Sequence, residues 1–278
     1  MKEATLKQIA TQLGVSITTV SKALKNYPDV SEKTKKAIVD LAIELNYTPN
    51  SFAVNLRTKE SKIIGVIIPT VDFNFFSKVF KGVLAEAEKR EYQVIILRSN
   101  EKLEVEKKQI ELLLNKRVDG IIMSLSNETG DFNHIKNIIK HKTPLVLFDK
   151  IAKLVNCSKV SINDRKAAYD AVNYLIKKGH KKIAHFRGSY MPQNSIDRFL
   201  GYKKALEDNN IVYDPSLVYL CDNNTDFEDG YENAKKILVE HPDIEAIFAI
   251  TDLVAVGIIK YFKDIKLKIS AQISVIDF

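Results

Sequence analysis

The chain has 278 residues, 45% hydrophobic and 28% charged, ordinary globular proportions with room for about two domains. Its longest apolar runs, IIGVIIP and AIFAI, fall well short of the ~20 residues that cross a membrane, and MKEATLKQIA lacks the apolar core of an export signal, so membrane and secreted classes are set aside and a cytoplasmic protein is expected. Cys157 and Cys221 lie far apart without metal-ligand spacing, which suits two buried structural thiols and argues against a zinc site or a disulfide framework. The formal charge of +7 is concentrated at one end: residues 1–62 hold ten Lys/Arg against six Asp/Glu, and the remaining 216 residues hold 32 against 29. A basic N-terminal region points to an anionic partner.

In chain order, Thr5 with Gln8 three positions on is a capping-box pattern, and Leu6, Ile9, Ala10 and Leu13 follow at i, i+3, i+4, i+7, the stripe of an amphipathic helix. Gly14 stands where a helix ends in a left-handed residue, Ser16 is placed to cap a second helix, and Val15 with Val20 suits a hydrophobic staple. That second helix places Val20, Ala23 and Leu24 on one face and Ile17, Thr18, Ser21, Lys22 and Lys25 on the other. A third helix from Ser31 is expected to bury Ala37, Ile38, Leu41 and Leu45 and to stop at Asn46. Three short helices sharing one small core, the first two joined by a tight turn, form a helix-turn-helix. Its outward face offers hydroxyls for phosphates and base edges, Ile17 for a thymine methyl, and lysines for guanine or phosphate.

The segment TLKQIATQLGVSITTVSKALKNYPDVSEKTKKAIVDLAIELNYTPN closely resembles the N-terminal domain of the lactose-repressor/galactose-repressor (LacI/GalR) transcription regulators, including GVS, TVSKAL, VSEKT and ELNYTPN at the family's spacings. The resemblance implies a DNA-binding domain over residues 1–50, with Ile17, Thr18 and Lys22 at base-reading positions. Thr5, Ser16, Thr19, Ser21, Ser31 and Asn50 are then placed to meet phosphates. Lys22 stands where many members carry arginine, and lysine lacks the planar fork that grips guanine, so operator preference at that base pair is expected to be softer or different. Residues 51–61 match the family's hinge helix, and Leu56 matches the leucine that wedges between base pairs in the minor groove, where such wedges unstack a step and bend the duplex. So short a helix is expected to order only on DNA. Val54 replaces a common arginine, which removes one phosphate contact.

From Lys62 the pattern becomes βαβα. KIIGVIIP, YQVIILRS, VDGIIMSL, PLVLFD, KKIAHFRG, SLVYLC, IEAIFAI and ISVIDF read as buried parallel strands, separated mostly by amphipathic stretches such as FSKVFKGVLAEAEKREY and RKAAYDAVNYLIKKGH. Neither G-x-G-x-x-G nor a P-loop is present, so no dinucleotide cofactor is called for; no G-x-S-x-G elbow appears either, and the five histidines suggest no base, so an enzyme is not expected. The family resemblance continues through IIGVIIPTVDFNFFSKVFKGV, VDGIIM, PLVLFDK, YLIKKGHKKIAHFRG, DRFLGYKKAL and AITDLVAVG. It implies a two-lobed, periplasmic-binding-protein-like effector domain over 62–278 that closes on a small molecule, a sugar or sugar derivative.

By the same resemblance Phe75 and Phe76 pack against ligand rings, Asp149 accepts from hydroxyls, Arg198 in DRFLGY grips the ligand and Thr251 lines the pocket beside Asp252; Asn163 replaces a frequent aspartate. The implied protein is a homodimeric repressor that places two recognition helices on a near-palindromic operator under effector control. The alternative is a small-molecule-binding protein whose DNA module is vestigial or impaired in dimerisation. The sequence ends at QISVIDF, in what resembles the last strand before the family's ligand loop, with Asp277 in place of the usual glycine; complete members run on, so a C-terminally incomplete effector domain with exposed sheet edges is expected, with weakened effector binding and dimerisation if Phe278 is the natural end.

Overall fold

The structure is a computed structural model describing residues 4–47, 60–71, 74–221, 226–267, 269 and 272–278. Asn50 and Leu56, and with them most of the expected hinge, lie outside the described residues. The chain divides into two compact units, Met1–Ser61 and Lys62–Phe278.

In the first unit, α1 (Leu6–Leu13), α2 (Ile17–Leu24) and α3 (Glu32–Glu44) are each started by a hydroxyl cap. Thr5 Oγ1 accepts from the Gln8 N–H at 3.3 Å while the Thr5 N–H donates to Gln8 Oε1 at 2.9 Å, the reciprocal capping box. Ser16 Oγ accepts from the Thr19 N–H at 3.0 Å and Ser31 Oγ from the Thr34 N–H at 3.2 Å. Gly14 turns the chain at φ +65°, a conformation that costs other residues a steric clash, and the Val15 N–H returns to the Ala10 carbonyl at 3.0 Å. Ile9, Ala10, Val20, Ala23, Val30, Ile38 and Ala42 form the buried core. Val15, Leu24, Leu41 and Leu45 pack partly buried around it. Ala37 is exposed, contrary to the expected stripe, and Ala42 takes the buried place, because the inward face of α3 runs through 38, 42 and 45. Ser16→Ala is expected to cost about 1 kcal/mol of helix stability, and amide hydrogen exchange over residues 17–24 should accelerate roughly fivefold.

Among the described residues the second unit holds two parallel sheets. The first, ordered β2-β1-β3-β4-β5, contains β1 (Ile63–Ile68), β2 (Gln93–Arg98), β3 (Gly120–Met123), β4 (Leu145–Phe148) and β5 (Ser158–Val160). On one face α4 (Asn74–Lys89) covers Val66, Ile68 and Phe148; on the other α5 (Leu103–Asn115) and α6 (Asn133–Lys140) cover Ile67, Ile121, Met123 and Leu147. The second sheet, ordered β7-β6-β8-β9, contains β6 (Ile183–Arg187), β7 (Val218–Leu220), β8 (Ala246–Ala249) and β9 (Ser274–Ile276). Here α7 (Asp164–Lys177) and α8 (Gln193–Asp208) bury one face, and α9 (Asp226–Glu240) and α10 (Asp252–Asp264) the other.

The helix-turn-helix and the doubly covered parallel α/β class follow the sequence pattern. One strand does not: β5 is three residues long and largely exposed, so it left no apolar run to read. Cys157 is only half-buried, whereas Cys221 is buried; burial raises the Cys157 thiol above its ordinary value. His185 sits inside β6, fully buried against the rings of Phe248 and Phe199. Burial lowers its pKa to about 3, so it is a neutral core residue whose Nδ1–H donates to the Phe248 carbonyl at 3.0 Å.

Candidate functional site

On the head, α2 buries Val20 and Ala23 and leaves Ile17 48% exposed on its outward face. Thr18 beside it is exposed, and Thr19, Ser21 and Lys22 are half-buried on the same short helix. Lys22 forms an ion pair with Asp29 in the loop before α3, and its ammonium holds the Asp29 carboxyl below the usual range. Thr5, Ser16 and Ser31 are exposed. Each spends an oxygen lone pair on a helix cap and keeps an O–H; that of Thr5 turns to Gln8 Oε1 at 3.4 Å, and the Ser16 and Ser31 oxygens lie 2.8 Å from the Thr19 and Thr34 hydroxyls, where either oxygen can donate. A capping hydroxyl can thus hold the helix and still donate to an anion.

In the second unit, a cavity of about 420 Å³ opens at the carboxyl ends of β4 and β5 and is walled opposite by the first turns of α7 and α8. That end of a parallel sheet is where open α/β folds bind ligands. Asp149 directly follows β4 in a left-handed conformation (φ +55°) and aims its carboxylate across the cavity: Asn194 Nδ2 donates to Oδ1 at 3.1 Å and Ser124 Oγ to Oδ2 at 3.3 Å. Lys153 from the first lobe bonds Asp197 of α8 at 2.7 Å, and Gln193 Nε2 donates to the same carboxylate at 3.1 Å. Both lobes therefore touch through polar groups that line the same space.

Arg198 does not line this cavity; its partner does. Nε donates to Asp164 Oδ1 at 2.9 Å, Nη1 to the Ile250 carbonyl at 2.7 Å, and the guanidinium stacks on the Phe278 ring at 3.5 Å. Burial pushes the Asp164 carboxyl up more than Arg198 pulls it down, and the nearby Asp149 and Asp197 add to the rise. Thr251 caps α10 and donates to Asp226 Oδ2 at 2.8 Å. Burial raises the Asp226 carboxyl, and Lys150 of the first lobe opposes that rise. Lys150 is itself held by Glu101 and Asn127 at 2.6 Å each.

Of the aromatic pair, Phe76 is 4% exposed and belongs to the core with Val66, Ile68 and Phe148, so its ring is not a free ligand platform. Phe75 is half exposed and meets Phe76 edge-on. Asn163 caps α7, its Oδ1 accepting from the Lys166 N–H at 3.0 Å, and lines the cavity as well. Sequence reasoning missed Asp164, Gln193, Asn194, Asp197 and Lys153. The signal was present in QNSID and NDR, where a helix opens on polar side chains just beyond a strand's carboxyl end.

Two families match this chain: bacterial regulatory proteins of the lacI family over residues 5–50, and periplasmic binding proteins and the sugar-binding domain of the LacI family over 61–277. The HTH-type transcriptional regulator RegA of Clostridium saccharobutylicum is 32% identical over 275 residues, covering 98% of this chain and 81% of that protein. The HTH-type transcriptional repressor CytR of Escherichia coli K12 is 31% identical over 275 residues, covering 99% and 80%. The fold is also that of the lac repressor dimer bound to operator and the anti-inducer ONPF, at a TM-score of 0.82 and 24% identity over 99% of this chain and 82% of that one. No helix among the described residues is long and apolar enough to cross a membrane. The head that starts each helix on a hydroxyl and the two-lobed body with a polar cavity between its sheets are thus parts of one known architecture, and the chain belongs to the LacI family of bacterial transcription regulators.

Proposed function

We propose that this chain is an effector-controlled DNA-binding regulator, a repressor, acting in the cytoplasm where its operator lies. The observation that carries the reading is the outward face of α2, where an exposed Ile17 stands beside Thr18 and Lys22 on a helix whose other face is locked into the core. Ile17, Thr18 and Lys22 read base edges in the major groove. Thr5, Ser16, Thr19, Ser21, Ser31 and Asn50 meet phosphates, and Leu56, in a hinge over 51–61, wedges the minor groove. Two copies bind a near-palindrome, as the pairing of two such heads requires.

The effector is a sugar or sugar derivative. Asp149, Asn163, Gln193 and Asn194 offer the acceptors and amide donors that hydroxyls need. Of the cations that line the cavity, Lys153 is already paired with Asp197, whereas Arg165 forms no ion pair among the described residues, so the sugar derivative can be neutral or carry one acidic group. The ligand is bound and released unchanged; it acts by its differential affinity for two lobe arrangements.

The test is a salt-controlled gel-shift selection against genomic fragments, repeated with Ile17→Ala and Lys22→Ala. Each substitution is expected to cost about 1–3 kcal/mol of operator affinity, with Lys22→Ala also lowering the salt slope if its ammonium meets phosphate. Retention that is blind to sequence and unchanged by both substitutions favours instead a small-molecule-binding protein with an impaired DNA module.

A further inference from the structure

A second site, apart from the effector cavity, lies at the carboxyl end of β6. Arg187, the last residue of that strand, is 6% exposed. Among the described residues no carboxylate lies within ion-pair distance of it, whereas Arg198 nearby has Asp164. Burying an unpaired guanidinium is costly, and a fold that tolerates it must compensate by other means.

Part of the compensation is visible. The guanidinium carbon lies 4.5 Å from the centre of the Tyr190 ring and 4.4 Å from that of Phe199. Cation–π attraction is strongest at such desolvated sites. Nε donates to the Gly188 carbonyl at 3.3 Å. The rings and that carbonyl leave the two Nη groups without a protein partner, and they are not among the polar atoms sealed from solvent. Two parallel N–H donors in one plane form the fork that matches a carboxylate or a phosphate. A second cation stands on the same aromatic cluster: Lys203 Nζ lies 4.5 Å from the Tyr213 ring centre and 5.8 Å from that of Phe199, and it too has no carboxylate partner among the described residues. Burial lowers the Arg187 pKa, and Tyr190 and Tyr213 are near enough to oppose that shift. Neither Arg187 nor Lys203 lines the cavity that Asp149 and Asp164 share.

We infer that Arg187 and Lys203, set on the rings of Tyr190, Phe199 and Tyr213, form a binding site for the oxyanion of a small metabolite, a phosphate or a carboxylate group, distinct from the effector cavity.

The test is thermal unfolding of the whole chain in inorganic phosphate, and separately in malonate as the carboxylate probe, with ionic strength held constant by sodium chloride. The wild-type chain should gain about 2–4 °C in Tm or more as one of the two probes saturates, and the better probe identifies the class. Arg187→Met, which keeps the stem between the rings, should abolish that gain. Arg187→Lys, which keeps the charge without the fork, should require more of the same probe. Lys203→Ala, on an exposed side chain, serves as a milder variant should Arg187→Met not fold, and it should weaken the response. An oxyanion-induced gain that is undiminished in Arg187→Met or in Lys203→Ala, or the absence of any gain in the wild-type chain with both probes, overturns the proposal.

Discussion

Gly257→Ala is expected to be among the most destabilising single-methyl additions in the effector domain. A Cβ at Gly257 in α10 would stand 2.1 Å from the carbonyl oxygen of Phe227 and 2.9 Å from the amide nitrogen of Tyr231, both backbone atoms of α9. Ordinary carbon–oxygen contacts are about 3.3–3.6 Å, so α9 and α10 would have to part by about 1 Å. Both helices cover the same face of the second sheet, with Ala234, Ile237, Val254 and Ile258 fully buried beneath them, and separation opens that whole layer. Overpacking of this kind costs about 1–3 kcal/mol, and more where backbone cannot relax. Gly230 on α9 is the reciprocal contact, its Cβ falling 2.2 Å from the Val254 carbonyl oxygen. One displacement relieves both clashes, so the Gly230→Ala/Gly257→Ala pair should cost less than the sum of the two single changes. Gly82 is the control. It lies in α4 with nothing within 4 Å of a Cβ, and there the same substitution should stabilise by roughly 0.5–1 kcal/mol through helix propensity. Urea midpoints at unchanged m resolve the two signs. Equal effects at Gly82 and Gly257 would contradict the close approach of α9 and α10.

These glycines show where the sequence was mute. Val66, Ile121 and Phe248 announce themselves as strand interior because an apolar run has no other use in a parallel sheet. The head was legible for a different reason, since Thr5, Gly14, Ser16 and Ser31 are local signals whose meaning depends only on the next few residues. Helix-to-helix approach at Gly230 and Gly257 is a relation between residues distant along the chain, and nothing in either local stretch reports it. The site divides in the same way. Asp149 and Arg198 were readable through resemblance, yet the resemblance could not say that Arg198 reaches the cavity only through Asp164, or that Phe76 turns into the core while Phe75 stays outside. Lys22 was legible as a surface cation on α2, but its partner Asp29 sits in a loop that has no period to read.

Arg198→Ala is expected to remove the effector response and to destabilise the second unit in a pH-dependent way. The Arg198 and Asp164 side chains are 12% and 8% exposed, and removing one partner of a buried pair costs about 3–5 kcal/mol because the other charge is left behind. In the wild-type fold the Asp164 pKa already lies above its ordinary 3.8, since burial outweighs the two favourable effects of Arg198. A raised carboxyl contributes most stability below its unfolded pKa and loses that contribution as pH rises through the folded pKa. Without Arg198, what remains is burial together with Asp149 and Asp197, all of which push the pKa further up. The deficit of Arg198→Ala should therefore be largest at neutral pH and shrink as the pH falls and Asp164 takes up a proton. Adding Asp164→Asn removes the stranded charge and should recover part of the loss at neutral pH, with no further gain in acid. A deficit that is constant across pH, or one that Asp164→Asn deepens, would mean that Arg198 stabilises through Ile250 and Phe278 rather than through the carboxylate.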